Sequence, residues 1–196
     1  MSPHPRHTSE DGFTLVELMV ALSILMVGLL GLAQVFYFGL SIVGTSSAQL
    51  IAREKAREAI ESVHTARDTR TITWAQIRNV TPPDCSRPAD WTGTWPTTTA
   101  TGGGTFLTAE HDLLDAGPDG LVATADDTGV EKTPGADNLL GTGDDVPLAG
   151  FRRQIAICDV GTNLRLIAVT IRYNGSNAVG AARRSYRLVT YISSFS

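Results

Sequence analysis

From Phe13 to Gly44 the chain carries one charged side chain, Glu17, and few other clearly polar ones: Thr14, Ser23, Gln34 and Ser41. Nothing else in the sequence restricts the fold as strongly. A helix needs about 20 consecutive apolar residues to cross a bilayer, and this run exceeds that length, so it belongs in a membrane or in an equally apolar packed environment. A lone carboxylate at depth in such a segment is costly, which makes it a functional candidate by default. Its counter-charge is not in the segment.

A secretory signal peptide predicts a basic leader, a short apolar core of about 7 to 15 residues and a small-residue cleavage site after it. This run is longer, has a glutamate at its fifth position and continues into a charged helix. A plain single-pass anchor accounts for the length but gives no role to Gly12-Phe13 or to Glu17.

The stretch Gly12-Phe13-Thr14-Leu15-Val16-Glu17, with a polar leader before it and a long apolar helix after it, resembles the class III signal of type IV pilins and of the pseudopilins of type II secretion. The resemblance implies that a prepilin peptidase cuts between Gly12 and Phe13 and that the new N-terminal Phe13 is methylated. It also implies that Glu17 meets the positive N-terminal amine of a neighbouring subunit, which supplies the missing counter-charge. The stem holds no proline and instead has Gly28, Gly31, Gly39 and Gly44. In this, and in Gly28-Leu29-Leu30-Gly31-Leu32, it resembles the minor pilins called pilus modification proteins (PilV-like) more than major pilins.

On this reading residues 1–12 are the leader, 13–44 the membrane and assembly helix, 45–80 its amphipathic half with the start of a head, 81–150 an acidic insertion and 151–196 a sheet. The formal charge of −4 gives no global case for nucleic-acid binding. Its distribution is more informative: residues 81–150 sum to −10 and residues 151–196 to +6. The simpler expectation is that the acidic insertion docks on the basic sheet, with DNA contact the alternative. Cys85 and Cys158 lie beyond the membrane segment, in what the resemblance makes an oxidising compartment. A bridge between them closes a loop of about 74 residues, and two unpaired thiols are the alternative.

After Gly44-Thr45-Ser46-Ser47, the residues Ala52, Ala56, Ala59, Ile60 and Val63 recur at three and four residues among Arg53, Glu54, Lys55, Arg57, Glu58 and Glu61. That is an amphipathic helix. Continuous from Phe13 to His64, it is about 78 Å long, and its second half needs a sheet to cover it. His64 falls at the expected end, with no nucleophile or carboxylate arranged beside it for catalysis.

Residues 81–150 hold seven of the nine prolines, the segment from Trp91 to Thr99, and Gly102-Gly103-Gly104. This reads as loop, with Trp74, Trp91 and Trp95 as anchors or as a contact site. Inside it, the stretch from Gly117 to Asp127 returns eighteen residues later from Gly135 to Asp145, with six of eleven positions identical. Each unit has an Asp-Gly or Asp-Asn turn, apolar residues and a paired aspartate. Asp119, Asp126, Asp127, Asp137, Asp144 and Asp145 are candidate ligands for calcium, a cation that takes six to eight oxygens, with His111, Asp112 and Asp115 as possible additions. Solvated Asx turns are the competing account, and the spacing is not that of an EF-hand.

Residues 152–160, 164–173 and 185–193 alternate with period two and predict three antiparallel strands. Gly161-Thr162-Asn163 makes the first turn and Asn174-Gly175-Ser176-Asn177 opens the second. The third strand is apolar on both faces and is expected to be central or covered. Arginines 152, 153, 165, 172, 183, 184 and 187 are expected on the outer surface.

The expected fold is α+β and type IV pilin-like: a long N-terminal helix packed on a C-terminal antiparallel sheet of at least three strands, with a large loop insertion. The expected function is a minor pilin, with a type II secretion pseudopilin or a pilus-borne adhesive or calcium-dependent module as alternatives. The partners implied are prepilin peptidase, other pilins or pseudopilins and the inner membrane, with the head periplasmic before assembly. No cofactor is required on this reading and no catalytic constellation is present, so an enzyme is not expected.

Overall fold

A computed structural model describes residues 12, 14–174 and 183–195, and the chain divides into two compact units, Met1–Gly44 and Thr45–Ser196. Residues 1–11 of the expected leader, Phe13 and most of the turn beginning at Asn174 fall outside the described residues. In chain order the elements are a helix α1 (Leu15–Asp68), a 3₁₀ turn (Trp74–Gln76), and strands β1 (His111–Asp112), β2 (Leu114–Asp115), β3 (Thr128–Val130), β4 (Lys132–Thr133), β5 (Val146–Pro147), β6 (Arg152–Gly161), β7 (Leu164–Asn174) and β8 (Arg183–Ser193). A long apolar helix followed by an antiparallel sheet is the α+β, pilin-like arrangement.

In the first unit, Leu15–Leu40 is a 26-residue stretch of mean hydropathy 2.5, none of it buried in the protein. It is long and apolar enough to cross a membrane. Ser23 returns its hydroxyl to the Met19 carbonyl at 2.8 Å, so its polar group is satisfied within the helix.

In the second unit, α1 turns Ala52, Ala56, Ala59, Val63 and Ala66 inward, all essentially inaccessible to solvent. Four of these five are alanines, which let a helix lie close to the surface it covers. That surface is one face of a four-stranded antiparallel sheet of order β1-β6-β7-β8. Ile155, Ile157, Ile167, Val169, Ile171 and Ile192 form its core with Tyr173. Burying each such side chain contributes roughly 1.5 to 3 kcal/mol.

The helix runs to Asp68, past His64, because the sequence there has neither glycine nor proline to stop it. It ends in a Schellman arrangement: Thr71 N donates to Ala66 O at 3.0 Å and Arg70 N to Arg67 O at 3.0 Å. Arg70 takes the left-handed position, φ 59°, that glycine usually holds.

For the third strand the covered alternative holds in part and the central one does not, and the expectation that all seven arginines are on the surface is corrected. The strand apolar on both faces, β8, is an edge, and β7 is the central strand, buried through most of its length. The apolar outer positions of β8 therefore reflect partial cover rather than a central place. Of the seven arginines, Arg153 and Arg165 are not on the surface, at 0% and 1% exposure. Arg153 stands on the core face because it shares the parity of Ile155 and Ile157.

The insertion, expected as loop, has no helix or strand periodicity in its sequence. It nevertheless supplies β1 to the main sheet, two small hairpin ladders (β2 with β3, β4 with β5) and core residues Phe106, Leu113, Leu121, Val122 and Leu148. Ladders of two or three residues are too short to leave a period in the sequence.

Candidate functional site

At the start of α1, Thr14 precedes the first helical residue, and its Oγ1 accepts the Glu17 amide at 3.3 Å. Leu18 N closes the first turn on Thr14 O at 3.2 Å. Thr14-Leu15-Val16-Glu17 therefore has the capping-box spacing, threonine at N-cap and glutamate three positions on. The same spacing stands in the sequence, but it lies inside the apolar run, where no polar-to-apolar boundary marks the helix start. Glu17 also lies at the helix N-terminus, where the macrodipole favours a negative charge. It is solvent-exposed, with no cation recorded against it among the described residues.

The two repeat units fold alike. In the first, Asp126 Oδ2 accepts Asp119 N at 3.3 Å, Asp119 Oδ1 accepts Leu121 N at 2.8 Å and Asp127 Oδ2 accepts Ala123 N at 2.7 Å, while the Thr124 hydroxyl donates to Asp126 Oδ1 at 2.6 Å. In the second, the bonds recur eighteen residues on: Asp137 N to Asp144 at 3.2 Å, Leu139 N to Asp137 at 2.8 Å, Gly141 N to Asp145 at 2.7 Å and Thr142 Oγ1 to Asp144 at 2.6 Å.

The leading glycine of each unit is fixed by close approach. A Cβ on Gly117 would stand 2.4 Å from Asp126 Oδ2, and one on Gly135 2.4 Å from Asp144 Oδ2. The threonine bond, opposed by slight desolvation and aided by the Asp119 amide, holds Asp126 below the usual carboxylate range. The Thr142 bond does the same for Asp144.

The six aspartates thus serve as Asx-type braces of their own loops. Among the described residues, no group of three or more His, Cys, Asp or Glu side chains is arranged to hold a metal ion. His111 Nδ1 lies 2.8 Å from the Asp112 carbonyl. The units differ in one respect: Leu121 and Val122 are buried at 4% each, whereas Leu139 and Leu140 stand 62% and 65% exposed.

Cys85 and Cys158 form a disulfide with Cα atoms 5.8 Å apart. It fastens the segment around residues 84–96 over the outer face of the sheet. Trp95 Nε1 and Thr98 Oγ1 both donate to Cys85 O, at 3.0 and 2.8 Å. Trp91 meets Trp95 edge-on with centroids 5.6 Å apart, so these two tryptophans act as anchors.

The expected docking of acidic insertion on basic sheet occurs, but through Asp90, Glu110 and Asp112 rather than through the repeat. Arg152 lies 3.5 Å from Glu110 and 3.3 Å from Asp112, Arg172 pairs with Glu110, and Arg187 pairs with Asp90.

The buried arginines do other work. Arg165 bonds Asp159 at 2.7 Å and Ile77 O at 2.9 Å, also bonds Trp74 O, and lies 4.1 Å from the Trp74 ring centroid. Burial lowers its pKa, and the Asp159 bond opposes the shift. Arg153 is attracted by Glu131, which also pairs with Lys55. Burial pushes Arg153 down and Glu131 up. Burial also opposes the charge on Lys55, but its bonds to Glu131 and Glu58 outweigh this and raise it.

Residues 8–33 match the family model described as the prokaryotic N-terminal methylation motif. No curated protein and no solved structure matches the chain.

Proposed function

We propose that this chain is a filament subunit of the type IV pilin class, and within it a minor pilin of the pilus-modification kind. Prepilin peptidase cuts after Gly12, Phe13 is methylated, and Glu17 then faces the new amine of a neighbouring subunit as the apolar helix leaves the inner membrane for the filament. The role is structural rather than enzymatic, and the head is periplasmic before assembly.

One observation carries the reading. The methylation motif over residues 8–33 coincides with the start of an unburied 26-residue apolar stretch, whose helix continues into an amphipathic half covered by antiparallel strands. A plain anchor has no use for a glutamate at its start or for the Gly12-Phe13 junction. The disulfide is consistent with an oxidising compartment for the head.

The test is mass spectrometry of filaments sheared from cells, compared with the cell-envelope fraction. A peptide beginning at Phe13 with one added methyl group in the sheared fraction is the expected result. The same peptide confined to the envelope makes the chain a pseudopilin of a secretion system instead. An uncut chain in both fractions overturns the reading.

A further inference from the structure

The outer face of the sheet, away from α1, has a cavity of about 340 Å³ beneath the segment that the Cys85–Cys158 disulfide ties down. This volume is at the lower end for small-molecule sites, which run from roughly 300 to 1,000 Å³. The covering segment does not collapse onto the strands. It is fixed at Cys85 by the disulfide and again at Asp90 by Arg187. Beneath it the strands present small residues: Ala156 and Ala168 are direct cross-strand partners on β6 and β7, next to the Gln154–Thr170 pair. Strand interiors favour β-branched and aromatic residues, and two facing alanines in the middle of the β6–β7 ladder leave a hollow that such side chains would fill.

The lining groups differ in chemistry around the hollow. Trp95 has its indole N–H committed to the Cys85 carbonyl, so what it offers a ligand is its apolar ring. Arg187 uses Nε for Thr170 and Nη1 for Asp90, and Arg172 uses Nη1 for Glu110. Among the described residues neither Nη2 group has a partner, so each arginine has one nitrogen left for a further acceptor, and a carboxylate can take one such bond from each. Asp84 lines the same cavity. A small multivalent anion would meet that carboxylate unfavourably, whereas a polyol carrying one acid group satisfies both sides.

We propose that this cavity binds a saccharide unit bearing a carboxylate, of the uronic-acid type. Its acid group pairs with Arg172 and Arg187, its C–H face lies against Trp95, and its hydroxyls bond Asp84, Gln154 and Thr170. The proposal rests on the cavity alone and stands whether or not the chain enters a filament.

The test is calorimetric titration of the full chain in a detergent without sugar groups, with galacturonate and glucuronate oligomers as probes and the corresponding neutral oligomers as comparators. Saturable binding of an acidic oligomer is expected, at least about tenfold tighter than its neutral counterpart. Ala168→Leu, which fills the hollow, should abolish binding, and the milder Ala156→Val should weaken it, each checked for an intact disulfide and an unchanged melting curve. Arg172→Ala, at a partly exposed position, should bring acidic binding down to the neutral level. The proposal is overturned if neither acidic oligomer binds, if neutral oligomers bind equally well, or if the folded filled-cavity variants bind as the parent does.

Discussion

Asn79 Oδ1 accepts the Ile157 amide at 2.8 Å, and the two residues are 0% and 1% exposed. The Asn79 amide also donates to Ile155 O at 2.8 Å. One side chain thus takes the place of a neighbouring strand where β1, only two residues long, no longer covers β6. Asn79→Ala leaves a backbone donor and acceptor buried without partners, at about 3 kcal/mol. Urea unfolding of the full chain in micelles, followed by tryptophan fluorescence, should show the midpoint falling with an unchanged slope.

The two repeat units have the same loop geometry but opposite burial of their apolar pairs. Leu121→Ala should cost about 3 kcal/mol, and Leu139→Ala less than about 0.5 kcal/mol, in the same unfolding assay. Equal costs would mean that the second unit is as deeply packed as the first.

Arg70 holds a left-handed position at the end of α1 that carries a steric penalty for any side chain with a Cβ. Arg70→Gly removes the strain, although glycine loses more entropy on folding, for a net gain of about 1 kcal/mol. A raised thermal midpoint with unchanged helical circular dichroism is the expected outcome.

The threonine bonds to Asp126 and Asp144 lower both carboxyl groups from the reference value of 3.8. A depressed carboxylate contributes stability that is present above its unfolded pKa and is lost as pH falls through its folded pKa. The repeat loops should therefore hold their geometry at neutral pH and loosen only in acid below about pH 3.8. Carboxyl-carbon NMR titration should find both groups below that value, with Thr124→Val raising Asp126 and Thr142→Val raising Asp144.

In the proposed function Glu17 pairs with a neighbouring subunit's amine, and its own backbone amide is capped by Thr14. Glu17→Ala should leave cleavage intact and reduce the chain in sheared filaments by at least about tenfold, because the partner amine loses its counter-charge. Glu17→Gln keeps a residue type suited to the third helical position and removes the charge, so it should fail likewise. Normal incorporation of the glutamine variant would overturn the charge-pairing role.

Much of the fold was legible. The apolar run, the alanine stripe from Ala52 to Val63 and the period-two strands each repeat over enough residues to mark their element. The repeat was also visible, including the turn positions now occupied by Gly120 and Asn138. The end of α1 was not, since a Schellman turn closed by Arg70 carries no glycine signal. Nor was the edge position of β8, because partial cover by neighbouring chain and full burial on both faces give the same apolar pattern.

By itself the sequence determined the local chemistry: where a helix must be apolar, where the peptidase signal stands, which strands alternate, and that two loops are copies of one another. These are properties of residues close together in the chain. Only tertiary structure decided the rest: that Asn79 takes the place of a strand beside Ile157, seventy-eight residues away, that Arg153 and Arg165 are buried while Arg172 and Arg187 flank a cavity, and that one copy of the repeat is packed and the other exposed. Each of these depends on which surface meets which across the fold, and similar local sequences meet different neighbours, so no local pattern records the outcome.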